Sequence, residues 1–174
     1  MDNIDYQQVY NVTCFQEDIA RGKPGELIFK QDFLDFLGIE YVDVTGCQQF
    51  QVIDTDYLTK IGTYEIKANY KDNGRIIIED FTNINENFGP VKKGWFYKSN
   101  ADLLIFISKA TRIMIFIPFT ENFKRHYEQI KDSFNLKRNR ISQWNNRRWQ
   151  SAFRYVPLKE ITGYYSMYKK IIDC

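Results

Sequence analysis

Asp54-Thr55-Asp56-Tyr57-Leu58-Thr59-Lys60-Ile61-Gly62-Thr63-Tyr64-Glu65-Ile66-Lys67 is the segment from which the rest of the chain can be read. It has the pattern of a hairpin, extended over Gln49 to Asp56, turning near Lys60 to Gly62, and extended again over Thr63 to Tyr70. Side chains alternate across a strand, so Glu65 and Lys67 share one face while Tyr64 and Ile66 take the other. Asp54 and Asp56 share a face by the same rule. A turn centred on Lys60-Ile61 sets Asp56 opposite Glu65, and a slip of one residue changes the pairing. Two strands thus predict carboxylates and one ammonium held together. Such a set suits Mg²⁺, which takes one or two carboxylates together with water and substrate phosphate. The metal acidifies its bound water, and a lysine can position the nucleophile or offset transition-state charge. An ordinary exposed Glu–Lys pair, worth under ~1 kcal/mol, is the structural alternative.

The flanking segments extend the pattern. Gly74-Arg75-Ile76-Ile77-Ile78-Glu79 predicts a further strand, followed by Gly94-Trp95 and by Ser99-Asn100-Ala101-Asp102-Leu103-Leu104. An aspartate, a short hairpin and then Glu-x-Lys resemble the signature of the PD-(D/E)XK nuclease superfamily. Here it runs Asp56 … Glu65-Ile66-Lys67, with eight residues between the acids. The later Gly-Trp and Ser-x-Ala-Asp segments look like those of phage and bacterial members. The resemblance covers residues 25–118 and departs from the family name in lacking its proline.

The resemblance implies a restriction-endonuclease-like α/β (α+β) fold, a mixed central sheet flanked by helices. It also implies a DNA phosphodiester hydrolase using Mg²⁺ or Mn²⁺. Asp56 and Glu65 would hold the metal, joined by the Ile66 carbonyl and by Glu26, with Asp54 as the alternative aspartate. Lys67 would position the attacking water. The setting implied is the cytoplasm of a bacterial or phage-infected cell.

At 174 residues the chain is expected to form one domain, with an extension over 1–23, a core over 25–118 and a basic part over 119–174. Net charge is +2, but it is polarised. Residues 1–90 carry 7 Lys/Arg against 16 Asp/Glu, and residues 91–174 carry 17 against 6. Such asymmetry points to a polyanion partner. Lys137, Arg138, Arg140, Arg147 and Arg148 interleave with Trp144 and Trp149, and with Lys98 they form the expected DNA-binding set. The bland alternative is a surface segment anchored by its tryptophans. A non-catalytic nucleic-acid-binding protein and a phage-type inhibitor of a host protein remain alternatives, as does a homodimer.

Other classes lack support. Three scattered cysteines and one histidine offer no zinc spacing and predict free thiols in a reducing compartment. No apolar run reaches the ~20 residues that span a bilayer, and no membrane association is expected. The acidic Met1-Asp2-Asn3-Ile4-Asp5 start lacks a signal-peptide pattern. Gly-x-Ser-x-Gly, P-loop and GxGxxG motifs are absent.

The remaining elements are expected as follows. Short and longer helices cover 13–20 and 25–38, broken at Lys23-Pro24-Gly25, with Glu26 in the first turn of the second and Gly38 as its stop. Strands 39–45, 49–56, 63–70 and 75–80 form an antiparallel meander, then a loop covers 81–93. Strands follow at 101–108 and 111–118, a helix at 120–130 capped by Thr120, a strand at 149–156, and a helix from Pro157 to Ile172. Glu79 is placed on the surface or as a further ligand, and Ser99, Asn100 and Asp102 as phosphate holders or braces.

Overall fold

A computed structural model describes residues 13–45, 47–51 and 53–170. They form a mixed α+β structure with a mixed central sheet and a few helices. In chain order these are β1 (Thr13–Cys14), α1 (Phe15–Phe29) with a π-turn over Lys30–Leu34, β2 (Tyr41–Asp43), α2 (Gln48–Gln51), β3 (Tyr57–Thr59), β4 (Gly62–Lys67), β5 (Arg75–Asn83), β6 (Lys92–Lys93) and α3 (Trp95–Lys98). Then follow β7 (Leu103–Ile107), β8 (Met114–Pro118), α4 (Glu121–Ile130), β9 (Lys137–Arg138), β10 (Ser142–Trp144), β11 (Arg147–Trp149), β12 (Ala152–Pro157) and β13 (Ser166–Tyr168).

The central sheet has the order β13-β8-β7-β4-β3-β2, with β4 and β7 parallel and the other neighbours antiparallel. β7 and β8 are apolar on both faces, which suits strands buried on both sides. Ile105, Ile107, Met114 and Phe116 pack with Tyr64 and Ile66 against Phe29 and Leu34 of α1 and its π-turn. Leu104, Phe106, Ile115 and Ile117 face the other way, onto Trp95 and Phe96 of α3, Phe123 and Tyr127 of α4, and Ile76, Ile78 and Val156 of a second sheet. That sheet has the order β6-β5-β12-β9, and a third runs β1-β10-β11.

Several expectations are corrected. No break occurs at Lys23-Pro24-Gly25, and α1 runs through Pro24, forgoing one backbone hydrogen bond. Gly25 marks a close approach instead: a Cβ there would lie 2.2 Å from the Ala68 Cβ. Glu26 therefore sits in mid-helix, away from the dipole end. Gly38 does terminate the following turn, at φ 64°. The extended run 49–56 is replaced by α2 and by a turn in which Asp54 adopts φ 49°. β5 does not complete a meander. It is an interior strand, but of the second sheet, paired with β12 from Phe81↔Ala152 to Arg75↔Pro157. The apolar run of β7 takes the edge of β4 instead, and Ile76 and Ile78 bury their side chains beside Val156.

The 81–93 loop is shorter than expected, because β5 continues to Asn83 and pairs with β6. The helix expected from Pro157 is only a 3-10 turn, Leu158–Ile161, followed by β13, which leaves Met167 53% exposed. The end of that expected helix, at 171–172, lies outside the described residues, as do the side chains of Cys14, Trp144 and Cys174. The helix over 120–130 forms, with Phe123 N–H donating to the Thr120 hydroxyl at 3.3 Å. No helix among the described residues is long and apolar enough to cross a membrane.

Candidate active site

The β3–β4 hairpin turns through Lys60-Ile61, in the register Tyr57↔Tyr64 and Thr59↔Gly62. Carried one step further, that register sets Asp56 against Glu65. The ladder opens there: Asp56 N–H donates to Tyr64 O at 2.8 Å, and Ile66 N–H donates to the Asp56 carboxylate at 2.7 Å. A side chain thus replaces a backbone acceptor and draws the Asp56 carboxylate against Glu65-Ile66-Lys67. Tyr64 and Ile66 point into the α1 core. Glu65 and Lys67 point to the opposite face, beside Leu104 and Phe106 of β7, where the central sheet meets the second sheet.

Five carboxylates gather around Lys67. Glu65 is 5% exposed and in ion-pair contact with the Lys67 ammonium. Burial pushes the Glu65 carboxyl up to about 7, with Asp56 and Asp54 adding to the effect of burial against the opposing pull of Lys67. Asp56 is pushed up to about 6, again chiefly by burial. Glu26 is raised by burial and by Asp43 and Glu65, which brings this mid-helix acid to the cluster. Tyr57 fixes that stretch of helix by donating its hydroxyl to Glu26 O at 3.2 Å.

Asp54 is raised by burial, and one of its oxygens is buried without a hydrogen-bond partner. Strand alternation does not place Asp54; its left-handed turn does. That turn is braced by the Ser99 hydroxyl, which donates to Asp54 O at 3.2 Å, and by Asn100 N–H, which donates to Ile53 O at 3.1 Å. Asp102 is a brace too, accepting Thr63 N–H and hydroxyl at 2.9 Å each.

Of the two placements expected for Glu79, the structure disfavours the surface. This acid is half-buried on β5, its carboxyl is raised by burial, and Lys67 and Lys98 act on it. It belongs with the cluster from the neighbouring sheet. Trp95 was not singled out as a site residue: Lys67 Nζ stands 4.7 Å from its ring centroid, a cation–π contact. Burial pulls the Lys67 ammonium down, but Glu65, Asp54 and Asp56 more than offset it and hold it above its ordinary value.

A divalent cation fits this chemistry. Buried Glu65 pairs with the Lys67 ammonium, and partly buried Asp56 lies within reach of its charge. Burial and their mutual repulsion oppose the ionisation of both acids, and Asp54 offers an oxygen with no hydrogen-bond partner among the described residues. Among the described residues no group of three His, Cys, Asp or Glu is arranged to hold a metal, but Mg²⁺ needs fewer protein ligands than that.

The expected DNA-binding residues separate into groups. Lys98 ends α3, exposed, and its charge reaches Asp54 and Glu79. Arg147 and Arg148 lie on β11, in a hairpin with β10 closed by Asn145 and Asn146, both at positive φ (47° and 61°). Lys137 and Arg138 are exposed on β9, and Arg140 is exposed just beyond it. Comparison with family models, with curated proteins and with solved structures returns no match to this chain.

Proposed function

We propose that this protein is a metal-dependent nuclease that hydrolyses phosphodiester bonds of DNA, on a restriction-endonuclease-like variant of the mixed α+β fold. The observation that carries the proposal is the junction of Asp56 with Glu65-Ile66-Lys67, where the Ile66 N–H holds the Asp56 carboxylate at 2.7 Å beside a buried Glu–Lys pair. Asp56 and Glu65 would hold Mg²⁺ or Mn²⁺, with the Ile66 carbonyl as a further oxygen donor and water and substrate oxygens completing the shell, and Glu26 and Asp54 would stand outside it. Bound there, the ion supplies Lewis acidity toward the scissile phosphate. Lys67 keeps its proton and orients the attacking water or neutralises charge on the phosphate. Glu79 and Trp95 flank the ammonium and restrict its position. The basic residues 137–148 would follow the DNA backbone, so affinity should fall steeply with salt. A DNA-processing role suits the cytoplasm of a bacterial or phage-infected cell.

The test is cleavage of linear, circular and branched DNA with Mg²⁺, Mn²⁺ or EDTA, beside Lys67→Ala and Glu65→Ala. Metal-dependent cutting should fall by ~100-fold or more in both variants. Absence of cutting on every substrate, with no metal binding by calorimetry, rules the enzyme out. Salt-sensitive binding without cutting would identify a non-catalytic DNA-binding protein.

A further inference from the structure

Beside the acid cluster lies a cleft of about 610 Å³ between the 84–91 loop and the β11 arm of the Asn145-Asn146 hairpin. Its walls are fixed. The Asn83 amide donates to Asn85 O, Gly89 O and Pro90 O at 3.1–3.2 Å, and its carbonyl accepts Gln150 N–H at 3.2 Å. Ile84 N–H donates to Gln150 O at 2.9 Å. The loop is therefore tied to the strand that carries the arginines, and Asn83 is committed to that bracing.

Among the described residues the lining combines three cations (Lys92, Arg147, Arg148) with two rings (Phe88, Trp149) and includes no carboxylate. The Arg148 guanidinium lies over the Phe88 ring at 5.1 Å, and its Nε is buried without a hydrogen-bond partner. Aromatic rings interleaved with cations are what an unpaired nucleotide engages: bases stack and phosphates pair with arginine. The volume matches a small-ligand pocket and would take a nucleotide or two. Thr82 joins cleft to cluster, since it lines the cleft and donates its hydroxyl to Glu79 at 3.2 Å.

We propose that this cleft seats an unpaired stretch of a DNA strand beside the acid cluster, so that the protein acts on single-stranded, flapped or branched DNA. The proposal rests on the nuclease reading for what the strand is held for, and binding tests it independently. The probe is full-length Glu65→Gln in EDTA, titrated by fluorescence anisotropy with a labelled oligo-dT of about 15 nucleotides and with a blunt duplex of equal length. The single strand should bind more tightly. Arg148→Lys, which keeps the charge but loses the stacked fork, should weaken single-strand binding at least about fivefold and duplex binding by a clearly smaller factor. Lys92→Ala, at an exposed site, should weaken it and reduce the salt slope by about one.

Equal or tighter duplex binding overturns the proposal, as does indifference to both substitutions or equal competition by poly-glutamate. A chain that binds single strands through this cleft yet cuts nothing would sink the nuclease reading and leave the cleft standing. A chain that cuts duplex DNA but does not prefer single strands would do the reverse.

Discussion

Gly25 lets helix α1 settle against the end of β4, because any side chain there meets Ala68 directly after Lys67. Gly25→Ala should destabilise the fold by about 1–3 kcal/mol, as overpacking does, read from urea unfolding. It should also lower activity, since Glu26 is the next residue. The acids give a second residue-scale prediction. Asp56 at about 6 and Glu65 at about 7 lie above their ordinary 3.8 and 4.5. The native chain therefore holds protons that the unfolded chain has released. Their contribution to stability without metal is fully present below the ordinary values and is lost as pH rises through the folded ones. Unfolding in EDTA at about pH 5 and about pH 8 should show this loss, Glu65→Gln should reduce it, and, if the proposed metal site holds, Mg²⁺ should restore more stability at the higher pH, where Asp56 and Glu65 would be deprotonated. Asp56, Glu65 and Lys67 were legible in the sequence because a two-residue turn and strand alternation are local. Trp95 was not, and Glu79 only as one of two placements, because they arrive from a helical turn and from a second sheet whose docking no local pattern encodes.

At the scale of elements, β12 ties the site's second wall together. Arg154 on β12 pairs with Asp80 of β5 at 2.6 Å and donates to Lys131 O at 2.8 Å and to Phe134 O. Tyr127 of α4 donates to the same Asp80 at 2.5 Å. Asp80 is 2% exposed, so Arg154→Ala leaves a buried charge without its main partner and should cost about 3–5 kcal/mol, measured by denaturant unfolding. Asp80 adjoins Glu79, so the loss would also loosen that acid. Elements with strong periodic signals, β7, β8 and α4, were readable. The C-terminal helix was misread because Tyr164 and Tyr168 fit a helical stripe yet serve different neighbours: Tyr164 packs on Phe123 and Tyr168 on Phe33. Periodicity cannot distinguish one face from two separate contacts.

Across the whole molecule, the mixed α+β class followed from the sequence, but the partition into sheets did not. Ile76-Ile77-Ile78 announced a buried strand, but the expected meander gave it the wrong neighbour, and the true partner, β12, lies far along the chain. The basic C-terminal part is accordingly no appendage, since β12 and β13 complete the second and central sheets. A chain ending at Gln150 would keep every acid of the cluster, Lys67 and both cleft arginines. It should nonetheless lose cooperative thermal unfolding by circular dichroism, and with it any DNA cleavage. Persistence of both would show that β12 is dispensable.

The long reach of these pairings also has a consequence for how the protein is born. The β3–β4 hairpin can close as soon as it leaves the ribosome, but β4 waits for β7 and β5 waits for β12. Until then two apolar strands present open edges, the exposure that makes nascent chains reliant on chaperones. A growing chain thus carries all five acids long before it can hold them together, and the cluster stays unassembled until β12 has been made.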